Sequence, residues 1–129
     1  MLYTSPAKGL KIESFTDLIA WQEGHKLVLM LYSATNNFPI DEKYGLINQL
    51  RRAAVSITSN IAEGFRKNTV KEKRQFYQMA LGSLTEIQNQ LIIARDVGYI
   101  DTSTYKNINE HTNLVGKLLT GLLRSAPAK

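Results

Sequence analysis

The residues best equipped for chemistry stand together in Arg66-Lys67-Asn68-Thr69-Val70-Lys71-Glu72-Lys73-Arg74, where five cations accompany one acid. This run carries +4 of the chain's formal +5, leaving +1 for everything else. Clustered ammonium and guanidinium groups neutralise phosphates, and such contacts bind nucleic acid without regard to base sequence. Thr69 and Glu72 have the T-x-x-E spacing of a capping box, so a helix begins near Val70. Its unpaired N–H groups add partial positive charge to the same corner. Arg66, Lys67, Lys71, Lys73 and Arg74 are therefore the candidate nucleic-acid contacts. The competing reading is a solvated loop whose charges serve solubility. No aromatic platform accompanies the cations, because Phe65 fits a helix-end anchor and Tyr77 a packing residue. Backbone or duplex binding is thus favoured over readout of unpaired bases.

Other chemistries find little support. His25 and His111 are the only histidines, and neither has the glutamate three residues earlier that a di-iron bundle requires; the positions hold Gln22 and Ile108. The chain has no cysteine, which excludes thiolate metal sites and disulfides. No G-x-x-x-x-G-K-[ST] phosphate loop occurs. Gly82-Ser83 falls in mid-helix, where a small pair favours close helix packing over a nucleophile. The expectation is a non-enzyme with no metal and no cofactor.

The elements that position the basic run read as four helices. The first spans about Thr16 or Asp17 to Thr35, with Leu18, Trp21, Leu27, Val28, Leu31 and Tyr32 at helical spacing. Asn36-Asn37-Phe38-Pro39 breaks it. Asp41 is placed to cap a second helix, whose apolar face is Leu46, Leu50, Ala53, Ala54, Ile57 and Ile61. Gln49, Arg52, Ser56 and Glu63 fall on its opposite side and Asn60 at the margin. They suit structural hydrogen bonds, ion pairs or subunit contacts. Gly64 offers a left-handed residue to end this helix. The third helix runs from Val70 to about Val97, where Gly98 ends it. Phe76, Ala80, Ser83, Leu84, Ile87, Leu91 and Ala94 form its main stripe. Tyr77, Leu81 and Ile92 flank one side, Met79 and Ile93 the other. A helix this widely apolar must be covered from several directions, so Met79, Leu81, Ile92 and Ile93 are expected at an interface between copies. Asp101 to Ser103 offers caps for a fourth helix bearing Tyr105, Ile108, Thr112, Val115, Leu119 and Leu122.

Short connections between four helices predict an all-α, antiparallel up-down-up-down bundle over residues 15–124. Residues 1–14, with Pro6 and Gly9, read as a flexible leader, and residues 125–129 as a tail. The chain has 129 residues, enough for one domain with a real core, and a pI near 9.5 that favours a polyanionic partner. No apolar run reaches the ~20 residues needed to span a bilayer. The first residues lack a signal-peptide layout. The cytoplasm is the expected location.

Trp21-Gln22, Phe38-Pro39, Tyr44-Gly-Leu, Gln49-Leu-Arg-Arg-Ala-Ala-Val-Ser-Ile, Asn60-Ile-Ala-Glu-Gly and Gly82-Ser-Leu-Thr-Glu together resemble the bacterial four-helix-bundle proteins encoded in 23S rRNA intervening sequences. The likeness covers about Phe15 to Leu122. Arg-Arg-Ala-Ala followed at this spacing by Asn-Ile-Ala-Glu-Gly is its most specific part. The resemblance implies a four-helix bundle assembled as a ring-shaped homopentamer. A related branch, the accessory variability proteins of diversity-generating retroelements, implies partnership with a reverse transcriptase and with nucleic acid. The alternative is a scaffold ring that serves only protein interactions.

Overall fold

The computed structural model describes residues 11–126. Most of the expected leader and tail, residues 1–10 and 127–129, lie outside the described residues. Among the described residues all regular structure is helical: α1 (Ile19–Thr35), α2 (Leu46–Arg66), α3 (Val70–Asp96) and α4 (Thr102–Ser125). Each helix packs against two others in the cyclic order α1, α2, α3, α4. Leu27 and Leu31 of α1 meet Leu50, Ile57 and Ile61 of α2, Ile87 and Leu91 of α3, and Val115 and Leu119 of α4 in one core, all essentially inaccessible to water. The three-four spacing puts these residues on one face of each helix, and burying them is what holds four amphipathic rods together.

The helix ends depart instructively from expectation. Phe15–Asp17 form a short 3-10 turn ahead of α1, held by a capping box between Ser14 and Asp17. A second 3-10 turn, Ile40–Glu42, precedes α2, which starts at Leu46. Glu42, rather than Asp41, caps that start. The Leu46 N–H donates to Glu42 Oε1 at 3.0 Å, and the Tyr99 hydroxyl donates to Glu42 Oε2 at 2.8 Å. Those bonds, the backbone one first, hold the Glu42 carboxyl below its ordinary range, and the same contact pushes the Tyr99 phenol up.

Gly64 does not stop α2. The helix runs through it to Arg66, and Gly98 (φ 85°) is the positive-φ residue among those described. Gly64 serves a different need: a Cβ there would come within 2.6 Å of Tyr77 Cε1 and 3.1 Å of Phe76 Cβ. Glycine therefore lets α3 approach α2 closely at the turn between them. At the other end of α3, Gly98 does terminate the helix, with the Tyr99 N–H donating to Ala94 O at 2.8 Å. Asp101 caps α4 through the Thr104 N–H at 2.6 Å, which lowers the Asp101 pKa. Among the described residues no helix is long and apolar enough to cross a membrane.

Candidate nucleic-acid interface

The connection between α2 and α3 is only Lys67-Asn68-Thr69, so the five cations of the basic run are crowded at one end of the molecule. Thr69 opens α3 as expected. Its hydroxyl accepts the Glu72 N–H at 3.1 Å and donates to the Glu72 carboxylate at 2.9 Å. The five cations then divide into two groups, and the division is physical.

Lys73 is only 6% exposed. Its Nζ donates to Phe65 O at 2.8 Å and to Gly64 O at 3.3 Å, and lies 5.6 Å from the centre of the Phe65 ring. Phe65 O lacks an intrahelical partner at the end of α2, whereas Gly64 O also accepts the Lys67 N–H at 3.2 Å, and a cation there is favoured by the helix dipole. Expecting Lys73 to meet phosphate is thus corrected: its charge caps a helix. Arg74 is similarly engaged, its guanidinium donating to Leu123 O near the end of α4. This bond fastens α4 to the start of α3, while the residue as a whole stays exposed and has no carboxylate partner among the described residues. Lys67 is half-buried, with Glu63 Oε1 at 3.9 Å and the Phe76 ring centre at 5.1 Å.

Arg66 and Lys71 remain exposed. The Arg74–Leu123 contact brings a further cation to this end, since Arg124 follows Leu123 and is exposed. Lys117 lies two turns earlier on α4, also exposed. Among the described residues no ion pair joins Arg66, Lys71, Lys117 or Arg124 to a carboxylate. Arg124 and Lys117 escaped the sequence reading because Arg124 is fifty positions from Arg74. Only the basic residue in the last turn of α4 hinted at it.

Arg124 and Lys117 also line a shallow groove of about 640 Å³ between α3 and α4, together with Leu81, Thr85, Gln88, Thr112, Asn113 and Thr120. No carboxylate lines it. The structure thus extends the basic end along one side of the bundle.

The polar residues of α2 have mostly local work. Ser56 Oγ accepts from Ser83 Oγ of α3 at 2.9 Å and from Asn60 Nδ2 at 3.1 Å, and Asn60 Nδ2 also donates to Ser56 O at 2.8 Å. Gln49 Oε1 accepts from Gln90 Nε2 at 3.3 Å. These bonds tie α2 to α3 within one chain. Glu63 contacts only Lys67 in this way, and Arg52 is exposed without an ion pair among the described residues. The neighbouring Arg51 instead clamps the end of α1. It donates to Thr35 Oγ1 at 2.8 Å and to Asn36 Oδ1 at 3.0 Å, over the Tyr32 ring at 4.5 Å.

Of the expected interface residues, Met79, Ile92 and Ile93 are 49%, 42% and 44% exposed. Leu81 is half-buried in the α3–α4 groove. The four do not share one face. Leu81 and Ile92 border the α4 side of α3, and Met79 and Ile93 border the α2 side.

The histidines stand apart from one another in chemistry. His25 stacks on Trp21 with ring centres 5.0 Å apart. His111 Nε2 lies 2.9 Å from Glu23 O and 3.5 Å from Glu23 Oε1, joining α4 to α1. No cluster of three or more metal-ligating side chains occurs among the described residues.

Comparison with known proteins agrees with this architecture. A protein of unknown function from the S23 ribosomal protein family of Bacteroides thetaiotaomicron has a similar fold, with a TM-score of 0.76. It is 18% identical, and the match covers 83% of this chain and 96% of that one. That likeness speaks to fold alone. No curated protein matches the chain. The profile of a family described as 23S rRNA-intervening sequence protein matches residues 16–121, nearly the whole bundle. The chain belongs to that family.

Proposed function

We propose that this protein is a non-enzymatic, oligomeric helical bundle that binds structured nucleic acid through its backbone. It would act as an accessory to an RNA-handling partner, of which a reverse transcriptase is one form. The observation that carries the reading is the group of exposed cations left without acid partners at one end: Arg66, Lys71 and Arg124, continued by Lys117. Helix capping accounts for the buried Lys73, and Arg74, though exposed, is held to Leu123 O; no such contact engages Arg66 or Lys71.

Antiparallel, up-down-up-down helices fit the residue pairs. Moving back along α2 from Ser56 to Gln49 moves forward along α3 from Ser83 to Gln90. Assembly into a ring of copies, five by resemblance, is supported by exposed Met79, Ile92 and Ile93. A ring would present the basic end several times, and weak phosphate contacts would combine. The same exposed apolar residues favour the second reading, a scaffold ring without nucleic acid.

Fluorescence anisotropy with a structured RNA separates the two. The proposed binder associates at low salt and loses affinity linearly on a log–log plot as salt rises. Absence of binding at low salt leaves the scaffold. Native mass spectrometry at micromolar concentration reads the assembly, and a clean monomer would remove the ring.

A further inference from the structure

We infer that the α3–α4 groove selects RNA over DNA by accepting hydrogen bonds from ribose 2′-hydroxyls. This inference rests on the nucleic-acid reading above and names the polymer that the basic end prefers. The groove opens beside Arg74 and Leu123 and carries two exposed cations, Lys117 and Arg124, for a phosphate strand. Cations alone do not distinguish the two polymers.

The distinguishing chemistry lies in the two groove threonines. The Thr85 hydroxyl donates its proton to Leu81 O at 3.1 Å, and the Thr120 hydroxyl donates to Gly116 O at 2.9 Å. Each hydroxyl therefore has only lone pairs to offer a ligand. Between them, Gln88 Nε2 donates to Thr112 Oγ1 at 3.1 Å and to Asn113 Oδ1 at 3.4 Å, which leaves Gln88 Oε1 as a further acceptor. The groove thus brings two cations and several hydrogen-bond acceptors together. A ligand that satisfies both carries negative charge and hydrogen-bond donors of its own. A ribose–phosphate strand does so, and a deoxyribose–phosphate strand supplies only the charge. The 2′-hydroxyl is the group by which proteins tell the two apart, and A-form RNA displays it in a wide, shallow minor groove that an exposed helix pair can approach.

The test uses the full chain with RNA and DNA hairpins of the same sequence, read by anisotropy at low salt. The unaltered protein should bind the RNA hairpin about tenfold more tightly, as two ordinary hydrogen bonds predict. Replacing both threonines, Thr85→Val and Thr120→Val, should reduce that ratio to near one while leaving DNA affinity within about twofold. Replacing Lys117→Gln and Arg124→Gln should weaken both polymers together. Circular dichroism confirms that each variant is folded. Equal affinity of the unaltered protein for the two polymers overturns the inference, as does a ratio that survives the valine pair. Either result leaves the nucleic-acid reading standing. Failure of both hairpins to bind sinks that reading and this inference with it.

Discussion

The two ends of the bundle use charge differently. At the end where α4 begins, carboxylates meet helix N-termini: Glu42 takes the Leu46 N–H and the Tyr99 hydroxyl, and Asp101 takes the Thr104 N–H. Arg51 meets the end of α1 there, donating to Tyr32 O at 3.3 Å and to the side-chain oxygens of Thr35 and Asn36. At the opposite end, Lys73 and Arg74 meet the carbonyls of α2 and α4. All these groups do what the helix dipole favours. The difference is what remains. The basic end keeps Arg66, Lys71 and Arg124 exposed with no acid partner among the described residues. The other end also keeps two exposed cations without an acid partner among the described residues, Lys43 and Lys106, but beside an apolar rim with Tyr44 85% and Ile40 80% exposed. Counting cations in a sequence overstates a binding site, because helix C-termini absorb some of them first.

The sharpest way to break this distinction is through Lys73. Lys73→Met should destabilise the fold by about 1–3 kcal/mol, because it leaves Phe65 O at the end of α2 without its charge-assisted partner. Urea denaturation measures it. Folded Lys73→Met protein should bind RNA as the unaltered chain does. A variant of full stability with reduced RNA affinity would show that Lys73 belongs with the exposed cations after all.

Gly64 tests the same corner through packing. Gly64→Ala should cost about 1–2 kcal/mol, since the added methyl runs into the buried Tyr77 ring and helix propensity returns only part of the loss. A stabilised Gly64→Ala protein would mean that α2 and α3 separate easily at the turn.

The acidic capping end gives the smallest effect, and it is visible in pH dependence. Glu42 has a lowered pKa in the fold, so its contribution is present above the unfolded carboxylate value and is lost as pH falls through the folded one. Glu42→Gln should therefore lower thermal stability at about pH 6 to 8, where the contribution is present, and flatten its loss below about pH 5, so that the two curves converge in acid. An acid-denaturation curve that superimposes on that of the unaltered chain would remove Glu42 as a contributor.

Much of the frame was legible in sequence because its signals are local. The three-four spacing of Leu50, Ala53, Ala54, Ile57 and Ile61, the Thr69–Glu72 box, Gly98 and Asp101 each act within a turn or two of themselves. What escaped depends on contacts between helices. Gly64 looked like a stop signal because a close approach by Tyr77 leaves no mark near residue 64. Lys73 looked exposed because the carbonyls that hold it belong to the preceding helix. Arg124 looked remote because only the packing of α4 against Arg74 returns it to the basic end. Glu42 displaced Asp41 because the 3-10 turn moved the start of α2 forward to Leu46.

The most direct test of the central claim compares RNA affinity against salt for the unaltered chain and the double variant Arg66→Gln, Lys71→Gln. These exposed residues contribute little to stability, so the variant should unfold within about 0.5 kcal/mol of the parent. For each copy engaged with RNA, the slope of log affinity against log salt should become shallower by about 2, with binding weaker at every salt concentration. An unchanged slope and affinity would contradict the account, because the cations left over from helix capping would then not be the ones that meet phosphate.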